Sequence, residues 1–256
     1  MPTISRPQDY LTRTLDSIAK QLGGQAQRTD VIVFHPRPGQ NHPVFKSNQA
    51  RLGAGKYKEH FHFVEQRTIT DPFSGNQEPT DPNSSDVPGH VARQQTCDVV
   101  SMMRRAVKEF PTCRWYMFME DDFVMCDSAL KALRHAAAKA DAYNPGWSGL
   151  RISFGLNGVV VPCKDVPKMA DFMLSKSSWR PADLLSVYWL ASIANEGRLY
   201  MQGRKMSVYR YNMMNHIGRV STYPGRTTGQ QVNMFLKCYD MLNPWSLHAQ
   251  VTPACW

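Results

Sequence analysis

No stretch of the 256 residues approaches the roughly 18 to 20 consecutive apolar residues that cross a bilayer. Nor does the chain open with the charged, then apolar, then small-residue order of a secretory signal. The expectation is that any membrane anchor is absent from this chain. Cysteine is sparse and widely spaced: Cys97, Cys113, Cys126, Cys163, Cys238 and Cys255 include no C-x-x-C pair. That argues against a zinc ribbon or a thioredoxin-like site, and leaves both free thiols and one to three disulfides open. A long Lys/Arg run is missing too, although 30 basic residues against 21 acidic ones give a net charge of +9. Without zinc-ligand spacing or a basic aromatic repeat, the expectation is no nucleic-acid partner. An anionic small substrate such as a nucleotide diphosphate suits the same charge equally well. There is no internal repeat. Apolar content of 42% is enough for a sizeable core.

What the chain does have is one short stretch that organises the rest, Arg114-Trp115-Tyr116-Met117-Phe118-Met119-Glu120-Asp121-Asp122. Trp115 to Met119 is a five-residue apolar run, preceded by the turn-like Phe110-Pro111-Thr112-Cys113. It reads as a strand buried on both faces, as in a parallel sheet covered by helices. Three consecutive acids at its end repel one another and resist desolvation. They become favourable around a divalent cation, which takes carboxylate oxygens and keeps phosphate and water as further ligands. Ligands of open α/β sheets bind at the carboxyl ends of strands, and this is such an end. The bland alternative is three solvated acids in a loop.

Along the chain, Tyr10, Leu11, Leu15, Ile18 and Leu22 make a helical stripe over 7–21, closed by Gly23-Gly24. Strands are expected at 30–34 and 60–64, with a short helix at 44–54 between them. His60 and His62 share a strand face; exposed or core-edge histidines are the plainer reading of them than metal ligands. Proline at 72, 79, 82 and 88 makes 70–90 an irregular loop. It carries Asn83-Ser84-Ser85, a glycosylation acceptor triplet that would fit a secretory compartment. Helices follow at 91–109 and 129–142, the second with Asp127-Ser128 as its cap. Strands at 149–154 and 159–161 flank Gly155-Leu156-Asn157-Gly158, where glycine lets backbone approach a ligand closely. Further helices are expected at 165–175 and from about 178 to 195, then a strand at 204–211. Residues 1–222 form the main domain in this reading, and 223–256 a tail packed on it. Alternating strands and helices give an α/β sandwich with a mainly parallel sheet.

Five collinear motifs carry a resemblance. They are Pro2-Thr3-Ile4-Ser5-Arg6 with Tyr10-Leu11 and Thr14-Leu15-Asp16-Ser17; Arg93-Gln94-Gln95-Thr96-Cys97-Asp98; Tyr116 through Glu120-Asp121-Asp122; Arg180-Pro181-Ala182-Asp183-Leu184-Leu185; and Asn215-His216-Ile217-Gly218. Over residues 2–222 the chain resembles the N-acetylglucosaminyltransferase IV group of GT-A glycosyltransferases. More distantly it is similar to the GalNAc transferase that decorates GPI anchors. The resemblance implies a GT-A-type, Rossmann-like α/β/α sandwich in a secretory lumen, Golgi or ER. It implies inverting transfer of GlcNAc or GalNAc from a UDP-sugar to a glycan hydroxyl. Asp122 is then the ligand of Mn²⁺ or another divalent cation, and His216 a second candidate ligand. Asp121 and Glu120 lie beside the ribose or metal water, and Thr3, Arg6, Arg93, Gly155 and Gly158 contact the donor. Asp183 is the base that takes the acceptor's proton. A hydrophobic strand that family members have before Pro-Thr has no counterpart here, so the first strand is expected to be missing, along with part of the uridine pocket. A non-catalytic glycan- or partner-binding relative of the same fold is the alternative.

Overall fold

In a computed structural model, residues 1–23, 28–76, 87–218 and 237–242 are described. The amino-terminal half alternates helix and strand: α1 (Leu11–Leu22), β1 (Val31–His35), α2 (Pro43–Leu52), β2 (Phe61–Glu65) and α3 (His90–Glu109). The acidic stretch follows, between β3 (Trp115–Met117) and β4 (Phe123–Met125), then α4 (Ala129–Tyr143). Next come β5 (Gly149–Arg151), β6 (Val159–Pro162), α5 (Val166–Ser175), α6 (Ala182–Leu190), α7 (Asn195–Met201), β7 (Met206–Val208) and β8 (Met214–His216). A 3-10 turn, Cys163–Asp165, leads into α5.

The chain is mixed α/β, as its alternating pattern implies, but strand pairing is mixed rather than mainly parallel. β1 and β2 pair in parallel, as do β5 and β7. β3 with β6, β5 with β6, and β4 with β8 are antiparallel. The cause is the Gly155–Gly158 turn, which returns the chain directly from β5 into β6, whereas a parallel pair needs a longer crossover. Gly158 has φ +68°, and a Cβ there would meet Ile152 Cγ1 at 2.7 Å. Only glycine makes that return without strain.

Two apolar layers enclose the strands. On one side α1 and α4 bury Leu15, Ile18, Leu130 and Ala137. On the other, α3, α5 and α6 bury Val100, Met103, Met169 and Leu185. The helix expected over 178–195 is the shorter α6, after which Ser192 adopts φ 59° and α7 begins only at Asn195. Before β1, Met1 to Thr3 already runs beside it: Phe34 N–H donates to Met1 O at 2.9 Å and Thr3 N–H to Phe34 O at 2.9 Å. β3 is only partly buried along its length, not buried on both faces.

Among the described residues there are two disulfides: Cys113–Cys163 joins the turn before β3 to the end of β6, and Cys126–Cys238 ties residues 237–242 to the end of β4, while Cys255 lies outside the described residues. Cys97 is a buried free thiol. That short piece of the expected tail packs on the domain, with Tyr211 bridged to Met241 and Leu242 buried. The remainder of 223–256, like Asn83, lies outside the described residues. His60 and His62 are held by Thr29 O and Asp30, the ordinary role rather than a ligand set.

Candidate functional site

Glu120, Asp121 and Asp122 occupy the turn between β3 and β4, and each is held by a different part of the chain. Asp121 is 3% exposed. Its Oδ2 accepts from Thr3 Oγ1 at 2.6 Å, its Oδ1 from Arg6, and its backbone carbonyl from Thr14 Oγ1 at 2.9 Å. Pairing of residues 1–3 with β1 therefore delivers Thr3 to the Asp121 carboxylate, and the start of α1 delivers Thr14 to its backbone carbonyl. Arg6 forks across the pair, with Nη1 donating to Asp122 Oδ2 at 3.0 Å. Glu120 faces the Gly155–Gly158 turn: its N–H donates to Asn157 Oδ1 at 2.7 Å, and Asn157 Nδ2 donates back to its carboxylate.

β8 brings the fourth group. Its antiparallel register sets His216 opposite Phe123, and Ile217 N–H donates to Asp122 O at 2.9 Å. His216 Nε2 then stands 3.6 Å from Asp122 Oδ2. This is beyond hydrogen-bond reach, yet within the span of two ligands on one cation with bonds of about 2.1 Å each. Gly218 completes the frame. A Cβ there would lie 2.4 Å from Asp122 Oδ2 and 2.9 Å from His216 Nε2. Glycine leaves open the space that both atoms face.

Burial dominates the electrostatics. Desolvation pushes Glu120 up to about 7, with the charges of Asp122, Asp121 and Asp183 adding to it and Asn157 opposing. Desolvation likewise lifts Asp121 to about 6, more than Arg6 and Thr3 bring it down. Asp122 goes the other way: burial works against its charge, but His216 and Arg6 outweigh burial and hold it below the ordinary carboxylate value. Three adjacent acids are thus split, two drawn toward the protonated form and one kept ionised, which is what like charges in a poorly solvated turn do.

Asp183 lies in the first turn of α6 and is half-buried. It stands near enough for its charge to raise Glu120 and to oppose the lowering of Arg151. Arg151, buried and lowered to about 10 by desolvation, donates to Ser153 O and Gly155 O at 3.1 and 2.5 Å and so fixes the glycine turn. Thr3, Arg6, Glu120, Asp121, Asp122 and His216 are therefore one cluster. Asn157, between Gly155 and Gly158, bonds to it, and Asp183 acts on it through charge.

Arg93 is elsewhere: its Nε donates to the buried Asp71 carboxylate at 2.8 Å and its Nη1 to Pro88 O at 2.9 Å. Those contacts lock the start of α3 to the loop before it. Thr14, Arg151, Asn157 and Gly218 are the members that sequence reasoning did not single out as site residues. Asn157 could have been found, since an amide between two glycines is a side chain presented by bare backbone. Arg151 gave no such signal, because its task depends on the β5–β6 turn. Among the described residues, no three His, Cys, Asp or Glu side chains already converge as a cation set. No protein-family model matches the chain, and no curated protein does either.

Proposed function

We propose that the protein is an inverting, divalent-cation-dependent glycosyltransferase that moves GlcNAc or GalNAc from a UDP-sugar to a glycan hydroxyl. The observation that carries this reading is the Asp122–His216 gap of 3.6 Å, kept clear by Gly218 at the carboxyl end of β3. A carboxylate oxygen and an imidazole nitrogen are two suitable ligands for Mn²⁺, and donor phosphates commonly complete such a set. When bound there, the cation supplies positive charge against the negative charge that grows on a departing diphosphate.

The chain's own residues do the rest. Arg6 neutralises Asp121 and Asp122, and its guanidinium would also suit a phosphate oxygen of the donor. Thr3 and Thr14 fix Asp121 so that its free lone pairs face the nucleotide. The Gly155–Gly158 turn, braced by Arg151 and Asn157, lets backbone come close to the donor. Asp183 is the base: an inverting displacement needs one group to take the acceptor's proton as its oxygen attacks, and none to form a covalent intermediate. Cys113–Cys163 and Cys126–Cys238 support a secretory lumen, Golgi or ER, since disulfides persist in oxidising compartments.

One observation favours a second reading, a non-catalytic glycan-binding relative. Arg6 already satisfies both carboxylates without a cation. A donor screen separates the two. With Mn²⁺ present, UDP-GlcNAc or UDP-GalNAc should release UDP faster than UDP-Gal and UDP-Glc do. Asp183→Asn should slow that turnover about 10²- to 10⁴-fold, the usual loss of a general base, with UDP affinity unchanged. A folded protein that turns over none of the four, yet retains a glycan on an array, is the non-catalytic relative.

A further inference from the structure

His42 stands behind the acidic turn, one side chain removed from it. It is buried, caps the amino end of α2, and packs against the rings of His35 and Phe45, whose centroids are 5.1 and 5.9 Å away. Its two ring nitrogens have different neighbours. Nδ1 receives the Phe45 N–H at 3.3 Å, and Nε2 is 3.0 Å from Thr3 Oγ1. A neutral imidazole carries one proton and one free lone pair. Because the Phe45 N–H needs the lone pair of Nδ1, the proton lies on Nε2, and Nε2 donates to Thr3. A second proton is disfavoured, since it would displace the cap and set a positive charge at the positive end of a helix. Burial, with the charges of His35 and Arg6, lowers His42 to about 4 while Asp9 opposes, in agreement with a neutral ring.

That direction passes on. Thr3 has a single hydroxyl proton, and once Oγ1 receives from His42 that proton is left for Asp121 Oδ2, 2.6 Å away. The other tautomer would draw it to Nε2 and leave two oxygens facing each other with no proton between them. We propose that His42 is a positioning residue of the acidic site: held as the Nε2–H tautomer by the start of α2, it commits the Thr3 hydroxyl to Asp121 and so sets the orientation of that carboxylate toward a bound nucleotide. The nucleotide clause rests on the glycosyltransferase reading, whereas the directed chain from Phe45 N–H to Asp121 does not. With Oδ1 taken by Arg6, both oxygens of Asp121 are then anchored. His35 steadies the same frame, its Nδ1 3.4 Å from Thr3 O and its Nε2 3.3 Å from Gln40 O.

Two substitutions in the full chain separate this role from capping. Asn is a good N-cap and places its oxygen near the Nδ1 position, so His42→Asn keeps the α2 cap and loses the donor to Thr3. His42→Gln reaches further, keeping an amide N–H near the Nε2 position and weakening the cap. By calorimetry with Mn²⁺, UDP affinity should fall about 10- to 100-fold in His42→Asn and stay within about threefold of the parent in His42→Gln, the usual cost of losing a group that orients a site carboxylate. His42→Asn binding as tightly as the parent, or as tightly as His42→Gln, overturns the proposal, since a cap alone then explains the residue. Two further measurements need no ligand. With nitrogen-15-labelled histidine at about pH 7, the His42 ring, identified by its loss in His42→Asn, should show a protonated Nε2 and a bare Nδ1. A protonated Nδ1 overturns the proposal. In denaturant, His42→Asn and Asp121→Asn should be coupled at least about tenfold in the unfolding constant, and Thr3→Val should abolish the coupling. Additive effects, or coupling that survives Thr3→Val, overturn it. A parent chain without Mn²⁺-dependent UDP binding removes the glycosyltransferase reading alone, and the ligand-free pair then decides whether His42 directs Asp121.

Discussion

A single missing side chain, that of Gly218, decides whether Asp122 and His216 share an open space. Gly218→Ala puts a methyl group 2.4 Å from Asp122 Oδ2. Overpacking of this kind costs typically about 1–3 kcal/mol, so the protein should still fold. Its Mn²⁺-dependent UDP affinity should fall at least tenfold by calorimetry, while Gly23→Ala, at the end of α1 where a Cβ meets no atom within 4 Å, perturbs that affinity less. Arg6 is the corresponding test of charge. Arg6→Ala leaves Asp121 and Asp122 without their guanidinium, and breaking a buried pair from one side costs about 3–5 kcal/mol. Chemical denaturation of Arg6→Ala should show that loss in water and recover part of it on adding Mn²⁺. No recovery would mean that the cation does not take over the neutralising role of Arg6.

At the scale of elements, the acidic turn was legible because two unlike patterns abut. Trp115 to Met119 reads as interior and Glu120 to Asp122 resist it, so their junction marks where the interior ends. Of that run only Phe118 and Met119 are fully buried, and Trp115 to Met117 are partly so. The companion strands were less legible. Phe123–Met125 is too short to show a period, and becomes a strand only because β8 arrives to pair with it. His216 was placed by resemblance, whereas its position opposite Phe123 follows from a register between residues 93 apart that no local pattern encodes. The antiparallel return at Gly155–Gly158 was read as a ligand-facing loop and not as a hairpin. The period of an apolar run such as Val159-Val160-Val161 is the same for either strand direction. The turn itself can be tested: Gly158→Ala at φ +68° with a Cβ 2.7 Å from Ile152 should lower the melting temperature by several degrees. A loss of about 1–3 kcal/mol is usual where backbone strain and crowding coincide.

Across the whole molecule, burial of the amino terminus links distant parts. Met1 bonds to β1 and Thr3 to Asp121, and a cavity that Met1 borders is lined by both β1 and β3. Desolvation lowers the Met1 amino group from 8.0 to about 5, with the charge of Asp121 opposing. The folded state then holds fewer protons than the unfolded one between pH 5 and 8, so this group makes stability rise with pH across that window. Glu120 and Asp121, both raised, act in the opposite sense as pH rises from about 4 to 7. Their contribution cancels when a chain verified by mass to begin at Met1 is compared with one extended ahead of Met1 by Gly/Ser residues. The unextended chain should lose stability relative to the extended one as pH falls from 8 to 5, and an unchanged difference would place the amino group in water.

A cation between Asp122 and His216 that joins the nucleotide to the protein is the central requirement of the proposed reaction. Calorimetric titration of UDP, with Mn²⁺ and with EDTA, on the parent chain and on Asp122→Ala, measures it. Binding that needs Mn²⁺ in the parent and drops about tenfold or more in Asp122→Ala, with both proteins melting cooperatively, is the predicted result. UDP binding that is the same with EDTA as with Mn²⁺, or the same in Asp122→Ala as in the parent, contradicts it.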